Sequence, residues 1–274
     1  MNKRNWNIND LVFLIHQSAK KELLPRFFKV KESKKDDNSI LTEADLVMQE
    51  AIHSKLKELD ENILFLGEEM SQQEQGKVLR QTKQATWVLD PLDGTSNFAA
   101  GIPYYATSLA LIENGEVVLG LVYDPERDEC FFAEKGKGAK YQVGDRPPVK
   151  ITNNTNSIQL NDAIACIDLK RLPVDLAIKI VTQHPFRSQR SFGGVALDWC
   201  WLAAGRFDVY LHGKQNIWDY AAGHFIFTES GGYSCTLEGE SVFVNDLIPR
   251  VGVGALNQDL FNEWTDWLEI TALK

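Results

Sequence analysis

The chain has 274 residues, 44% hydrophobic and 24% charged, proportions ordinary for a globular protein with a substantial core. Its net charge of −9 argues against a protein that reads a nucleic-acid backbone, which would present a basic face. No apolar run approaches the roughly 20 residues that cross a bilayer, and the short patch at 11–15 soon meets His16, Gln17 and Lys20, so neither a membrane span nor a signal peptide is expected. Cys130, Cys166, Cys200 and Cys235 are widely separated and match neither a zinc spacing nor a Cys-x-x-Cys pair; reduced thiols in a cytoplasmic protein are expected.

Residues 9–30 carry apolar side chains at helical spacing, with Leu11, Leu14, Ile15, Leu23, Phe27 and Phe28 as the expected buried set. Residues 31–38 are charged and polar throughout and read as an exposed loop, either a solvated linker or a mobile lid. A second helix is predicted over 42–59, capped by Thr42, with Leu46, Val47, Ile52 and Leu56 facing inward. Strand-like runs follow at 63–66, 87–89, 105–112 and 117–123, the last two joined through Asn114-Gly115, a turn pair that accepts positive φ. Runs at 130–133 and 139–143 continue an antiparallel sheet. The polar stretch 151–161 marks a boundary between an N-terminal half, 1–150, and a C-terminal half, 151–274, within one compact catalytic unit. Beyond it, segments at 163–167, 174–183, 196–204, 209–211, 221–230 and 261–270 alternate, giving mixed α and β structure in layers.

Chemistry concentrates where the apolar run Trp87-Val88-Leu89 meets Asp90-Pro91-Leu92-Asp93-Gly94-Thr95. A buried strand would deliver Asp90 to its end, and Asp93 follows a tight turn later, so the two carboxylates can converge. Paired carboxylate oxygens suit a hard cation such as Mg²⁺, which offsets their repulsion. Gly94 permits close backbone approach, and Thr95 with Ser96 can open a helix whose free N–H groups face an anion. The alternative is an acidic turn ending in a helix cap. Gly67-Glu68-Glu69 after the strand at 63–66, and Asp219 in Ile217-Trp218-Asp219-Tyr220-Ala221-Ala222-Gly223, supply further acids.

Taken together in order and spacing, Thr42-Glu43-Ala44-Asp45, Gly67-Glu68-Glu69, Asp90-Pro91-Leu92-Asp93-Gly94-Thr95 and Trp218-Asp219-x-x-Ala222-Gly223 resemble the inositol monophosphatase family, nearly to full length, as does Gly193-Gly194 ahead of a helix. The resemblance implies a five-layered αβαβα sandwich and a lithium-sensitive, homodimeric phosphomonoesterase using two to three Mg²⁺ ions. By motif position, Glu68, Asp90 and the Leu92 carbonyl would hold one ion, Asp90, Asp93 and Asp219 a second, and Glu68 with waters a third. Thr95, backed by Asp45, would orient a metal-activated water for in-line attack, and the N–H groups of Gly94 and Thr95 would grip the phosphate, with Gly193 and Gly194 near the substrate.

One departure bears on the substrate. Where inositol-specific members carry a glutamate seven residues before the Trp-Asp aspartate, this chain has His212, which offers a single hydrogen bond in place of a bidentate carboxylate. Lys170 and Arg171 either meet a second anionic group or are simply solvated. The reading is therefore Mg²⁺-dependent hydrolysis of a small phosphate monoester. A sugar bisphosphate or 3′(2′),5′-bisphosphate nucleotide substrate, or a non-catalytic phospho-ligand or partner-binding protein on the same fold, stands as the alternative.

Overall fold

A computed structural model of the chain describes residues 6–30, 33–34, 40–81, 83–152 and 158–270. Helix α1 (Ile8–Glu22) starts in a capping box in which Asn7 and Asp10 satisfy each other's backbone N–H groups. It stops short of the expected residue 30 because Pro25 enters a single 3₁₀ turn, Leu24–Arg26. Leu11, Leu14, Ile15 and Leu23 are buried as expected. Phe27 packs against Phe98 and Tyr105, but Phe28 lies 68% exposed in a left-handed backbone conformation.

The segment expected as a loop at 31–38 lies outside the described residues except for Ser33–Lys34 (β1), which pairs antiparallel with β2 (Ile40–Leu41). Helix α2 (Glu43–Leu59) is capped by Thr42, as its sequence requires. Its inward stripe is Ala44, Met48, Ile52 and Leu56 at four-residue spacing. Leu46, expected inside, is 48% exposed, and Val47 is only half-buried, because both fall off that stripe.

Among the described residues, seven strands form the larger sheet, in chain order: β3 (Leu64–Gly67), β4 (Thr86–Asp93), β5 (Ala106–Glu113), β6 (Glu116–Asp124), β7 (Glu129–Glu134), β8 (Ala139–Val143) and β9 (Val149–Lys150). In this sheet β3 and β4 run parallel and the other described neighbours antiparallel; β3 and β4 are joined through α3 (Gln72–Leu79), a helix the sequence pattern does not reveal. Strand β4 outlasts its apolar run. The ladder loses register between Asp90 and Asp93, where Pro91 has no N–H to give, and closes again at Asp93 opposite Ala106. Asn114 and Gly115 both take positive φ in the β5–β6 hairpin, as expected.

The smaller sheet has the order β11 (Ser188–Arg190), β10 (Ile164–Asp168), β12 (Val209–Gln215), β14 (Arg250–Ala255), β13 (Tyr233–Cys235). The first three are parallel, and β14 is antiparallel to both its neighbours. Strand β14 was hidden by its glycines. A Cβ on Gly252 would lie 2.2 Å from the Gln215 amide nitrogen, and one on Gly254 would lie 3.0 Å from the Trp199 ring. These glycines let α6 (Val195–Ala203) lie against the strand.

Among the described residues, three apolar clusters define the layering. One seals α1 and α2 onto the outer face of the larger sheet through Leu11, Ile15, Met48, Leu89 and Leu109. The second encloses α6 and α7 (Ile217–Glu229) between the sheets, with Trp199, Tyr210, Tyr220 and Phe227 in its centre. The third covers the far face of the smaller sheet, where Ile180 of α5 (Val174–Gln183) and Trp264 of α8 (Gln258–Trp267) pack. The result is a five-layered αβαβα sandwich. Among the described residues no helix is long and apolar enough to cross a membrane.

Candidate active site at the strand ends

Both acidic turns sit at the C-terminal ends of neighbouring parallel strands, the usual crevice of such sheets. The turn after β3 is fixed from two sides. The Gln49 side-chain oxygen of α2 accepts the Glu69 N–H at 3.1 Å, and the Gln75 amide of α3 donates to the carbonyls of Gly67 and Glu68 at 3.1 and 3.0 Å. A Cβ on Gly67 would collide with the Gln49 side chain, so the two glutamines and the glycine form one interlocking support for Glu68. Neither glutamine carries a motif signal. Their roles arise from contacts between elements far apart in sequence.

Asp90 is buried at the register break of β4 and accepts the Leu92 N–H at 3.0 Å. Asp219 occupies the first turn of α7, its carboxylate accepting the Asn216 N–H at 2.7 Å in a capping box. The cap residue is thus Asn216, and Asp219 keeps an oxygen for other partners. Ser108 of β5 donates to the Trp218 carbonyl at 3.1 Å, tying this turn to the larger sheet. One oxygen from each of Glu68, Asp90 and Asp219 lies within 4.8 Å of the other two.

Asp93 stands beside this trio, but its carboxylate is turned to the start of α6. It accepts the N–H of Val195 at 3.2 Å and of Ala196 at 2.8 Å. Gly193, with φ 81°, and the extended Gly194 shape that helix entry, and a Cβ on Gly194 would press to 3.3 Å from the Asp93 carboxylate. Asn97 fastens the entry to α4 (Thr95–Ala100) by donating to the carbonyls of Tyr104 and Phe192, both at 2.8 Å.

Gly94 caps α4 at φ 87°. A Cβ there would approach the Tyr104 carbonyl to 3.0 Å, so both the backbone angle and the space demand glycine. The first N–H groups of a helix have no partner within it, and those of α4 open beside the acidic trio. The Thr95 hydroxyl lies 3.1 Å from the Asp45 carboxylate and 3.0 Å from the Leu92 carbonyl, and it donates its one proton between them. The other Asp45 oxygen is held by the N–H and hydroxyl of Thr42 at 2.8 and 2.7 Å.

Crowding acids in a buried place raises their proton affinity. Burial pushes Asp90 well above the ordinary carboxylate range, and the charges of Glu68, Asp93 and Asp219 add to it. Asp219 is raised by burial and then by Glu68 and Asp93. Asp93 is pushed up to about 8 by burial, against the two helix N–H groups. Asp45 is also raised, chiefly by burial. Behind the α6 entry, buried Asp198 accepts the Tyr104 hydroxyl at 2.8 Å, and burial lifts it to about 7.

His212 is buried on β12, directly beside Asp168 of β10 in the parallel register. Its Nε2 lies 3.0 Å from the Asp168 carboxylate, and its Nδ1 accepts the Lys214 N–H at 3.2 Å. The hydrogen bond from His212 holds Asp168 below the ordinary carboxylate range. Both ring nitrogens are therefore engaged inside the protein, which leaves neither for the substrate hydrogen bond expected of His212.

The donor set fits Mg²⁺: hard carboxylate oxygens, convergent and mutually repelling until a cation joins them. The inositol monophosphatase family model matches residues 11–265. An inositol-1-monophosphatase of Caulobacter vibrioides is 33% identical over 229 residues, 83% of this chain and 86% of that protein. A fructose-1,6-bisphosphatase/inositol-1-monophosphatase of Thermotoga maritima is 32% identical over 239 residues, with coverage of 83% and 86%. The solved Thermotoga maritima IMPase matches with a TM-score of 0.78 at 26% identity, covering 96% of each chain. Fold, strand-end acids and sequence thus lead to one conclusion: the chain belongs to the inositol monophosphatase family of phosphoric monoester hydrolases.

Proposed function

We propose that the cleft hydrolyses a small phosphate monoester with Mg²⁺, the reading carried above all by the convergence of Glu68, Asp90 and Asp219 oxygens within 4.8 Å of one another. Glu68, Asp90 and Asp219 would hold the metal, with Asp93 and the Leu92 carbonyl as further ligands. Bound Mg²⁺ would lower the pKa of water and neutralise charge developing on the phosphate.

The protein's own groups supply the rest. The N–H groups of Gly94 and Thr95, with the α4 dipole behind them, suit phosphate oxygens. Thr95, whose proton points to Asp45 or to the Leu92 carbonyl, presents a lone pair that can accept a proton from the attacking water. Asp45, made more basic by burial, can take the Thr95 proton in turn. Asp93, gripped by α6, fixes that helix start, and Gly193 and Gly194 just ahead of it would line the substrate side.

This reading draws Glu68 and Asp90 from the N-terminal half and Asp219 from the C-terminal half, in keeping with one catalytic unit. Li⁺ inhibition and a cytoplasmic homodimer belong to it as well. The test is phosphate release from inositol 1-phosphate and glycerol 2-phosphate with Mg²⁺. Release should vanish with chelator and in Asp219→Asn. Metal-independent turnover, or metal-dependent binding of esters without any turnover, would overturn it.

A further inference from the structure

The segment between β10 and α5 carries a cation that the chemistry above leaves unused. Asp168 ends β10 and accepts the Lys170 N–H at 2.9 Å, starting a single 3₁₀ turn, Leu169–Arg171. That turn is pressed onto β12. A Cβ on Gly213 would lie 2.1 Å from the Arg171 carbonyl oxygen and 2.8 Å from the Leu172 nitrogen, so only glycine lets the two backbones approach. The contact falls one residue after His212, and β12 then leads through Asn216 into the α7 turn that bears Asp219. Arg171 is thereby anchored by its backbone at the strand ends beside the acidic trio.

Its side chain is exposed, and among the described residues no ion pair or hydrogen bond engages its guanidinium. Its backbone contact with Gly213 places it one residue along β12 from His212 and three residues before the Asn216 cap of α7. Lys170, next to it, is exposed as well. The adjoining wall offers a substrate no competing hydrogen bonds from His212, since both ring nitrogens are spent on Asp168 and Lys214. The rim of the cleft here therefore offers a cation on a turn packed against β12, in the same segment as a closed His–Asp pair. It does not offer a hydroxyl-binding carboxylate.

We infer that Arg171 selects substrates carrying a second anionic group, a phosphate or carboxylate, in addition to the phosphate that is cleaved. A guanidinium matches either group with two parallel hydrogen bonds, where an ammonium offers a point charge. The inference rests on the phosphatase reading of the cleft and narrows it to a class of ester.

The experiment is steady-state kinetics with Mg²⁺ on the full chain and on Arg171→Ala and Arg171→Lys. The panel comprises glycerol 2-phosphate, inositol 1-phosphate, 2-phosphoglycerate, fructose 1,6-bisphosphate and adenosine 3′,5′-bisphosphate. The parent protein should show higher kcat/KM for the doubly anionic esters, and comparing 2-phosphoglycerate with the two bisphosphates tells a carboxylate from a phosphate partner. In Arg171→Ala the ratio of kcat/KM between doubly and singly anionic esters should fall about tenfold, through KM, the effect of one charge-assisted contact. Arg171→Lys should keep part of the preference, and salt should erode it. An unchanged ratio in Arg171→Ala, or a parent protein with no preference among esters it hydrolyses, overturns the role of Arg171 alone. A parent protein that hydrolyses none of the panel overturns the phosphatase reading, and this inference with it.

Discussion

The carboxylate of Asp93 accepts the backbone N–H of Ala196 at 2.8 Å across 103 residues of sequence. It joins the end of β4 in the larger sheet to the first turn of α6 in the middle layer. An acid that could simply face a cation is thereby also a brace between layers, its charge set against a helix N-terminus.

Replacing Asp93 by asparagine keeps the shape but removes the charge and sets an amide donor against one of the two N–H donors, while the remaining oxygen still accepts the other. Activity should fall at least about 100-fold, as expected for loss of a charged group from an electrostatically organised site. Unfolding free energy should drop by about 1–3 kcal/mol for the N–H left without an acceptor. Phosphate-release kinetics and chemical denaturation check the two effects separately, and full activity in the variant would remove Asp93 from the chemistry.

Thr95→Val leaves the backbone N–H groups of α4 in place and deletes the hydroxyl shared by Asp45 and Leu92. If that hydroxyl relays a proton, kcat should fall by about 10²–10⁴. Mg²⁺ affinity, measured by calorimetry, should stay within a few-fold. A large loss of metal affinity with a normal kcat at saturating Mg²⁺ would point to a ligand role in its place.

The raised carboxyls of Asp90, Asp93 and Asp219 set the direction of a pH effect. A carboxyl whose affinity for protons is higher in the folded than in the unfolded chain contributes stability below its unfolded pKa, near 4. That contribution is lost as pH rises through the folded value. The metal-free protein should therefore lose stability from weakly acid to weakly alkaline pH through this cluster. Mg²⁺ must displace the same protons, so the increase in Tm on adding it should be larger at pH 8 than at pH 5.5. Asp219→Asn should shrink that difference. A Mg²⁺ effect independent of pH would contradict the coupling.

Gly223 closes the motif around Asp219, and a Cβ there would lie 2.8 Å from the Ala196 carbonyl oxygen and 2.9 Å from the Trp199 Cβ. Gly223→Ala should destabilise the fold by about 1–3 kcal/mol through overpacking, more than the gain of up to about 1 kcal/mol from helix propensity. Thermal denaturation reads the sign directly, since propensity alone would raise Tm.

What the sequence made legible is what short spacing can encode. Thr42 and Asp45 lie within one helical turn, Asp90 to Thr95 within one strand–turn–helix, and Asn114-Gly115 within one hairpin, so each announces its geometry locally. The supports of those groups are non-local. Gln49 and Gln75 come from two helices onto one turn, Asn97 reaches Phe192, and Tyr104 reaches Asp198. None has a signature, because ordinary polar residues acquire these roles only once the layers stack. Phe28 and Leu46 show the converse limit. They satisfied an apolar pattern yet ended exposed, one beyond a proline-broken helix and the other off the buried stripe. His212 could be placed on a strand end, but not paired, until β10 was laid beside β12.

The contact of Gly223 with Ala196 has a further meaning for how such a site can change over time. Ala196 is also the residue whose N–H holds Asp93, and Gly223 follows Asp219 by one helical turn. The spacing between two acids that face the same cleft is thus set by how closely two interior helices touch. Substitutions in that contact would act as tuning screws on the cleft without entering it, whereas the exposed turn at Arg171 can vary with little disturbance to the interior. Substrate choice and catalytic geometry are in this way governed by separate parts of the molecule, free to drift at different rates.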